Sequence, residues 1–374
     1  YMKKPPDLED FILGDYYLGR TWKPIPGENE GIWPAWLKLF SQHMNIDSRI
    51  HNMVITGSLG IGKCTGFGTL IVLADGTIKR VEEIKAGDLL LGDDSTPRTV
   101  LSTMRGRGLM YEIHPVKGET FTANGEHVLV LKSTKSNDIT EVTINDFLKW
   151  PRERKHAACL YRTAVDWTDK PVPIDPYILG AWLGDGHAKQ TALTTMDAEL
   201  AEAWVNYGYS LGLAYNVLTA GKGAEAITIP LSARDKNGAI QPGKNELRNK
   251  LQRLGLMQMS PVPGEEKFIP QCYLTNSKNT RLQLLAGLID TDGSKCSAAG
   301  EGTYEITFKL KKLANQTCFL ARSLGYYAQT KVKVVNATAY YRTIISGAYD
   351  IPVKLPRKKS GTKPKKRISN LTGT

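Results

Sequence analysis

The stretch on which the fold turns runs Met53-Val54-Ile55-Thr56-Gly57-Ser58-Leu59-Gly60-Ile61-Gly62-Lys63-Cys64-Thr65-Gly66-Phe67-Gly68-Thr69-Leu70-Ile71-Val72-Leu73. It opens as a short apolar strand and enters GxxxxGK, a glycine-rich pattern whose backbone N–H groups cradle phosphates while the lysine reaches the terminal ones. That pattern next requires Ser or Thr, whose hydroxyl holds magnesium, and then a helix. Neither follows. Position 64 is Cys, and the first helical turn would be Thr65-Gly66-Phe67-Gly68, whose two glycines each cost about 1 kcal/mol relative to Ala. Strand-like runs at 69–73 and 77–81 flank Ala74-Asp75-Gly76 instead, a hairpin signature. Two readings of the junction are open: a degenerate Walker A loop with Cys in place of Ser, or an insertion that interrupts the loop after Lys63. The strands disagree with the first.

A chain of 374 residues exceeds one compact core, so two or three domains are expected. Hydrophobic content of 41% against 23% charged excludes wholesale disorder. No apolar run approaches the roughly eighteen residues of a membrane span. The five cysteines (Cys64, Cys159, Cys272, Cys296, Cys318) form no CxxC pair or regular framework, which suits a reducing compartment. No charged-then-apolar leader follows Tyr1, and the expected location is the cytoplasm of a host cell. Lys and Arg total 49 against 37 acids, a net charge of +12, and much of the excess lies after the last acid, Asp350. Such a run either stays solvated or lies against a polyanion.

From Cys64 to Gly76, then through Val81-Glu82-Glu83-Ile84-Lys85-Ala86-Gly87-Asp88, the chain resembles the opening block of an intein. The segment Gly118 to Leu131 resembles the second intein block, with Asn124-Gly125-Glu126-His127 as NxxH where TxxH is commoner. The chemistry explains these residue types. A Cys directly after a peptide carbonyl can exchange the amide for a thioester if its sulfur is activated and the departing amine is protonated. Only a small fraction of a free thiol is ionised near neutrality. His127 suits proton delivery to the Cys64 nitrogen, and Asn124 is expected to polarise the Lys63 carbonyl, so the scissile bond is Lys63–Cys64. Singly, Cys64 and His127 also read as ordinary core residues; the weight lies in the coincidence of junction, β-rich block and NxxH.

Farther along, Leu179-Gly180-Ala181-Trp182-Leu183-Gly184-Asp185-Gly186 and Leu285-Ala286-Gly287-Leu288-Ile289-Asp290-Thr291-Asp292-Gly293 share one pattern. Asp175-Pro176 and Asn279-Thr280 offer helix starts, and glycine closes each helix. Strand, helix, Ser-Leu-Gly and strand signals follow both copies, as in Asp197 to Tyr209 with Ser210-Leu211-Gly212 and Leu313 to Arg322 with Ser323-Leu324-Gly325. One unit is present twice. Gly180 and Gly287 would let the helices approach closely and bring the terminal aspartates together. The second motif departs from LAGLIDADG only at Thr291, and the region resembles a two-motif LAGLIDADG homing endonuclease. That resemblance implies a monomer with pseudo-twofold symmetry, Asp185 and Asp292 as metal ligands and catalytic groups, Mg²⁺ as cofactor and double-stranded DNA as partner. It also implies catalytic-site lysines: Lys267 in the first half and Lys359 in the second, with Lys358 and Lys366 as alternatives. Lys309-Leu310-Lys311-Lys312 is expected on phosphates.

The architecture expected is multi-domain. A P-loop α/β fragment (1–63) precedes an all-β Hint-type splicing domain (64–168), an α+β endonuclease (169–350) and a basic tail (351–374). The sequence ends Asn370-Leu371-Thr372-Gly373-Thr374 without the His-Asn of an intein terminus, so the splicing domain is expected to be incomplete. Splicing itself needs no cofactor. Gly57, Gly62 and Lys63 would bind ATP only in the spliced host, whose tryptophan-rich lead-in is similar to a viral DNA-packaging terminase. The alternatives are an ATPase using Gly57 to Lys63 directly, and a DNA-binding module with decayed catalysis.

Overall fold

The structure, a computed structural model, describes residues 64–361 apart from 116–118, 137, 220–224, 258–265 and 297–301. The phosphate-loop residues Gly57, Gly62 and Lys63, the rest of 1–63, and Lys366 lie outside the described residues. The chain divides into two compact units, one through Val165 and one from Asp166.

The first unit is built from hairpins. No helix follows Cys64: Thr65 bridges Ala123, and the chain then enters β1 (Leu70–Val72) and β2 (Ile78–Arg80), with Val72 opposite Ile78 across the Asp75-Gly76 turn. Gly76 takes φ +81°, which glycine adopts without the Cβ penalty. β3 (Leu89–Leu91) pairs β4 (Pro97–Thr99), and β5 (Met110–Ile113) pairs β6 (Phe121–Asn124). β7 (Val128–Ser133) lies between β8 (Ile139–Thr143) and β9 (Ala158–Leu160). The all-β expectation misses two short helices, α1 (Ile144–Lys149) and α2 (Arg152–His156). Thr143 caps α1 by accepting from Asp146 N, and Ile144 and Phe147, three residues apart, turn one face into the core formed with Ile113, Leu129 and Leu131.

The second unit repeats one plan. In its first half, α3 (Pro176–Asp185) leads to β10 (Ala192–Thr195), α4 (Ala198–Ser210), and the short strands β11 (Ala214–Tyr215) and β12 (Leu218–Thr219). β13 (Ile227–Ser232) is the strand to which β10, β11 and β12 all pair. α5 (Glu246–Arg253) and α6 (Gln271–Leu274) connect the halves. The second half runs α7 (Lys278–Asp292), β14 (Gly293–Lys295), β15 (Tyr304–Phe308), α8 (Lys311–Ser323), β16 (Tyr327–Val335) and β17 (Thr338–Ser346), with sheet order β14-β15-β17-β16. The correspondence reaches the register: Gly186 bridges Leu193, and Gly293 pairs Ile306. A single core holds Trp182 and Trp204 from one half with Leu285, Ile289, Tyr304 and Leu320 from the other.

Helix starts follow local chemistry. Asp175 caps α3 by accepting from Ile178 N, with Pro176 in the first turn. For α7 the cap is Ser277, accepting from Thr280 N, and not Asn279 or Thr280 as the sequence suggested. The expected basic tail departs further from expectation. Ile351, Val353 and Leu355 are buried in alternation, and Arg357 pairs with Asp197, so residues 351–361 belong to this unit's packing.

Candidate active sites

In the first unit the strand β6 positions Cys64. Asn124 N donates to Cys64 O at 2.9 Å, and Gly66 N donates to Thr122 O at 2.7 Å, so the chain after the junction is sewn onto β6. Cys64 N then donates to the side-chain oxygen Oδ1 of Asn124 at 3.0 Å. The sequence reading placed Asn124 on the Lys63 carbonyl; the described contact is on the nitrogen side of that bond. Lys63 itself lies outside the described residues. His127 closes the same turn, its N–H donating to Asn124 O at 3.0 Å, and is 3% exposed. Burial pushes the Cys64 thiol above its ordinary range, so the resting state is neutral and the attacking sulfur needs assistance.

Asn145 supports this turn and was not legible as a functional residue. Its N–H donates to Gly125 O, its Nδ2 donates to Glu126 at 2.8 Å, and its Oδ1 accepts from the Tyr111 hydroxyl at 3.3 Å. A Cβ on Gly125 would collide with the Asn145 side chain, which makes glycine the residue that fits there. Asn145 stands beside Asp146 in the first turn, where polar residues are ordinary, so nothing local marked it out.

In the second unit, α3 and α7 meet at glycine. A Cβ on Gly180 would fall on the Leu284 carbonyl, and one on Gly287 on the Tyr177 carbonyl. Thr291, the departure from the nine-letter motif, folds its hydroxyl back onto its own helix, donating to Gly287 O at 3.0 Å and Leu288 O at 3.1 Å. Gly184 faces it, and any side chain there would strike the Thr291 hydroxyl. The closing glycines have extended backbone, with φ −74° at Gly186 and −83° at Gly293. They are required by space, since a Cβ would hit Trp182 or Ile289.

The two helix ends bring Asp185 and Asp292 into electrostatic contact. Crowding by protein raises Asp292, with repulsion from Asp185 adding to it against the pull of Lys267 and Lys358, to a pKa of about 6. Desolvation also raises Asp185, opposed by the same two lysines. Asp292 still reaches solvent. Among the described residues no cluster of three or more His, Cys, Asp or Glu side chains forms. Two repelling carboxylates at an accessible rim fit a hard divalent cation that takes its remaining ligands from water and phosphate; Asp185 and Asp292 would hold it.

Each motif helix is closed by a lysine. Lys267 Nζ donates to Trp182 O, Gly184 O and Gly186 O at 3.0, 3.0 and 2.6 Å, and desolvation lowers its pKa to about 8 against the pull of Asp292 and Asp185. Lys358 Nζ donates to Ile289 O, Asp290 O and Thr291 O at 2.8, 2.8 and 3.0 Å and is buried, which lowers its pKa. Lys358 therefore occupies the place expected of Lys359, which is exposed. The reason is the 3₁₀ turn Pro356–Lys358, which follows the buried alternation at 351–355 and turns position 358 inward. Both ammonium groups satisfy helix C-terminal carbonyls, where positive charge is favoured. Of the expected phosphate-binding run, Lys309 and Lys311 are exposed, while Lys312 lies over the Phe268 ring at 4.9 Å.

Two family models match the chain: Hom_end-associated Hint over residues 64–149, and homing endonuclease over residues 268–353. The chain is 24% identical over 311 residues to the replicative DNA helicase DnaB of Mycobacterium intracellulare, covering 76% of this chain and 46% of the helicase. It is 23% identical over 396 residues to the catalytic component of the V-type proton ATPase of Candida tropicalis, covering 74% of this chain and 36% of that protein. The chain spans less than half the length of either relative. Among solved structures, I-DmoI in complex with DNA and Ca superposes with a TM-score of 0.30 at 14% identity, over 47% of this chain and 83% of that one. The N-terminal LAGLIDADG domain of DUF199/WhiA gives 0.27 at 12%, over 46% and 78%. The chain thus carries a match to a Hint domain of the endonuclease-associated kind over residues 64–149 and one to a homing endonuclease over residues 268–353, a pairing consistent with an intein that has an embedded nuclease.

Proposed function

We propose that the chain breaks the Lys63–Cys64 peptide bond by an N-to-S acyl shift and cleaves both strands of duplex DNA carrying the uninterrupted host gene, acting on DNA as a monomer. The splicing part covers residues 64–165 and the endonuclease 166–361, where the sequence reading had put the boundary after 168 and a separate tail after 350. The observation that carries the nuclease reading is the twin arrangement of Asp185 and Asp292, each ending one of two glycine-packed helices and each beside a helix-closing lysine. The divalent ion, proposed as Mg²⁺, activates water and stabilises charge on the phosphate when bound. Lys267 and Lys358 hold positive charge beside the carboxylates, and the duplicated units present one such set to each DNA strand.

At the junction, the Cys64 thiol gives up its proton to water, Sγ adds to the Lys63 carbonyl carbon, and the carbon–nitrogen bond breaks to leave a thioester. The Cys64 nitrogen departs as an amine with a proton from His127. Asn124 Oδ1, already accepting the Cys64 N–H, is suited to receive the growing positive character of that nitrogen. The host is a P-loop ATPase in which Gly57, Gly62 and Lys63 grip nucleotide once the interruption is removed.

Two measurements on the full chain test this. Incubation with DTT is expected to release residues 1–63, and Cys64→Ala to abolish the release; no release from a folded protein sinks the splicing reading. Metal-dependent cutting of a plasmid carrying the joined flanking gene sequence is expected to be lost in Asp185→Asn, and cutting that persists removes the metal role of Asp185.

A further inference from the structure

The symmetry of the two motif helices fails at one buried pair, and the failure lies beside a lysine. Aligning Gly180 with Gly287 matches Tyr177 to Leu284 and Leu183 to Asp290. One side of the helix pair therefore carries two buried leucines, Leu183 and Leu284, where the other carries buried Tyr177 and Asp290. The Tyr177 hydroxyl donates to Asp290 Oδ2 at 2.8 Å. The same carboxyl group accepts from Lys354 N at 2.6 Å and, through Oδ1, from Leu355 N at 3.4 Å. A carboxylate this buried is costly unless its oxygens are satisfied. Two of its three donors belong to the segment that leads through Pro356–Lys358 into Lys358.

The segment of Lys267 is held in another way. Gln316, on α8, accepts from Ile269 N at 2.8 Å and donates to Ile269 O at 3.0 Å, two residues beyond that lysine. We propose that Asp290, oriented by Tyr177, is the positioning residue for Lys358, and Gln316 the positioning residue for Lys267, so that the two strand cuts are tuned by separate clamps. The inference rests on the endonuclease reading above. Neither clamp is assigned a contact with DNA. Each fixes the backbone from which a lysine reaches its helix end, and a shift of about 1 Å at such a group costs up to a hundredfold in rate. The clamps sit on different helices and grip different segments, so loss of one leaves the other intact.

The test follows each strand separately. End-labelled duplex carrying the joined flanking gene sequence is cut by the full chain, with supercoiled plasmid reporting nicked against linear product. Lys267→Met and Lys358→Met first assign a strand to each lysine. Asp290→Asn is then expected to slow the Lys358 strand by roughly tenfold to a hundredfold and leave the other unchanged, so that nicked circle accumulates. Tyr177→Phe should slow the same strand less, and Gln316→Leu the opposite strand. DNA affinity in Ca²⁺ and the melting temperature report folding. Should Asp290→Asn not fold, Tyr177→Phe, which removes one oxygen, and Gln316→Leu decide alone. Equal slowing of both strands in folded variants, or no slowing, overturns the clamps, as does uniform cutting by both lysine variants. A wild-type chain that cuts neither strand sinks the endonuclease reading and the clamps with it.

Discussion

At the scale of single residues, the site is decided by which way a side chain faces. Lys358 and Lys359 are adjacent and chemically identical, yet one spends three N–H groups on a helix terminus and the other points to solvent. Asn124 likewise takes the nitrogen side of the bond through an oxygen, a choice that residue type leaves open because an amide both donates and accepts. Cys64 carries a pH consequence. Burial favours its neutral thiol, so the fraction ionised at a given pH is lower than for a free cysteine, whose pKa is about 8.5. Thiol-induced release of residues 1–63 should therefore keep rising with pH beyond that value. A rate that levels off below pH 8 would mean that the sulfur is activated in the resting state.

At the scale of elements, the helix pair depends on absent side chains. Gly180 and Gly287 face carbonyls of the opposite helix with no room for a methyl group, and Thr291 is accommodated because Gly184 lies opposite. Gly180→Val should force the helices apart and destabilise the protein by about 3 kcal/mol, the upper range for overpacking. Gly347 has φ +79° and open space around it, so Gly347→Ala should cost only the backbone strain, about 1 kcal/mol. Urea denaturation of the full chain compares the two. Equal costs would mean that the close approach of α3 and α7 contributes nothing. The β16–β17 hairpin, which exposes Val332 and Val334, corresponds to the pairing of β13 with β11 and β12 in the first half, with Ala214 opposite Ser232 where the second half sets Tyr327 opposite Ser346, so the repeat extends into the hairpin.

At the scale of the whole molecule, the two units carry separate cores. Every buried residue of the larger cluster lies between Ile174 and Val353, and those of the smaller clusters lie between Ile71 and Ala158. The segment before α3 is tied into the second unit: Asp166 Oδ1 accepts from Lys278 N and from Arg281, a fully buried guanidinium that also reaches Ser323. A fragment beginning at Asp166 should therefore melt cooperatively and cut DNA, provided those ties are kept. A fragment beginning at Asp175 loses the Asp166 partner of Arg281 and should melt lower. Calorimetry on the two fragments checks this, and indistinguishable melting would show that the Asp166–Arg281 tie is without weight. No helix among the described residues is long and apolar enough to cross a membrane.

Short-range chemistry was legible in the sequence alone. The lack of a helix after Cys64, the Asp75-Gly76 hairpin, the NxxH turn, the Asp175 cap and the two Asp-Gly helix ends all depend on residues within a few positions of one another, where turn and helix rules act. Tertiary structure alone decided what depends on direction and distance: Lys358 over Lys359, Asn124 on a nitrogen, Asn145 beneath the turn, and Asp290 gripping a segment more than sixty residues away. A sequence records which groups can bond, whereas burial selects which of them must, because only a desolvated donor or carboxylate is costly to leave unmet.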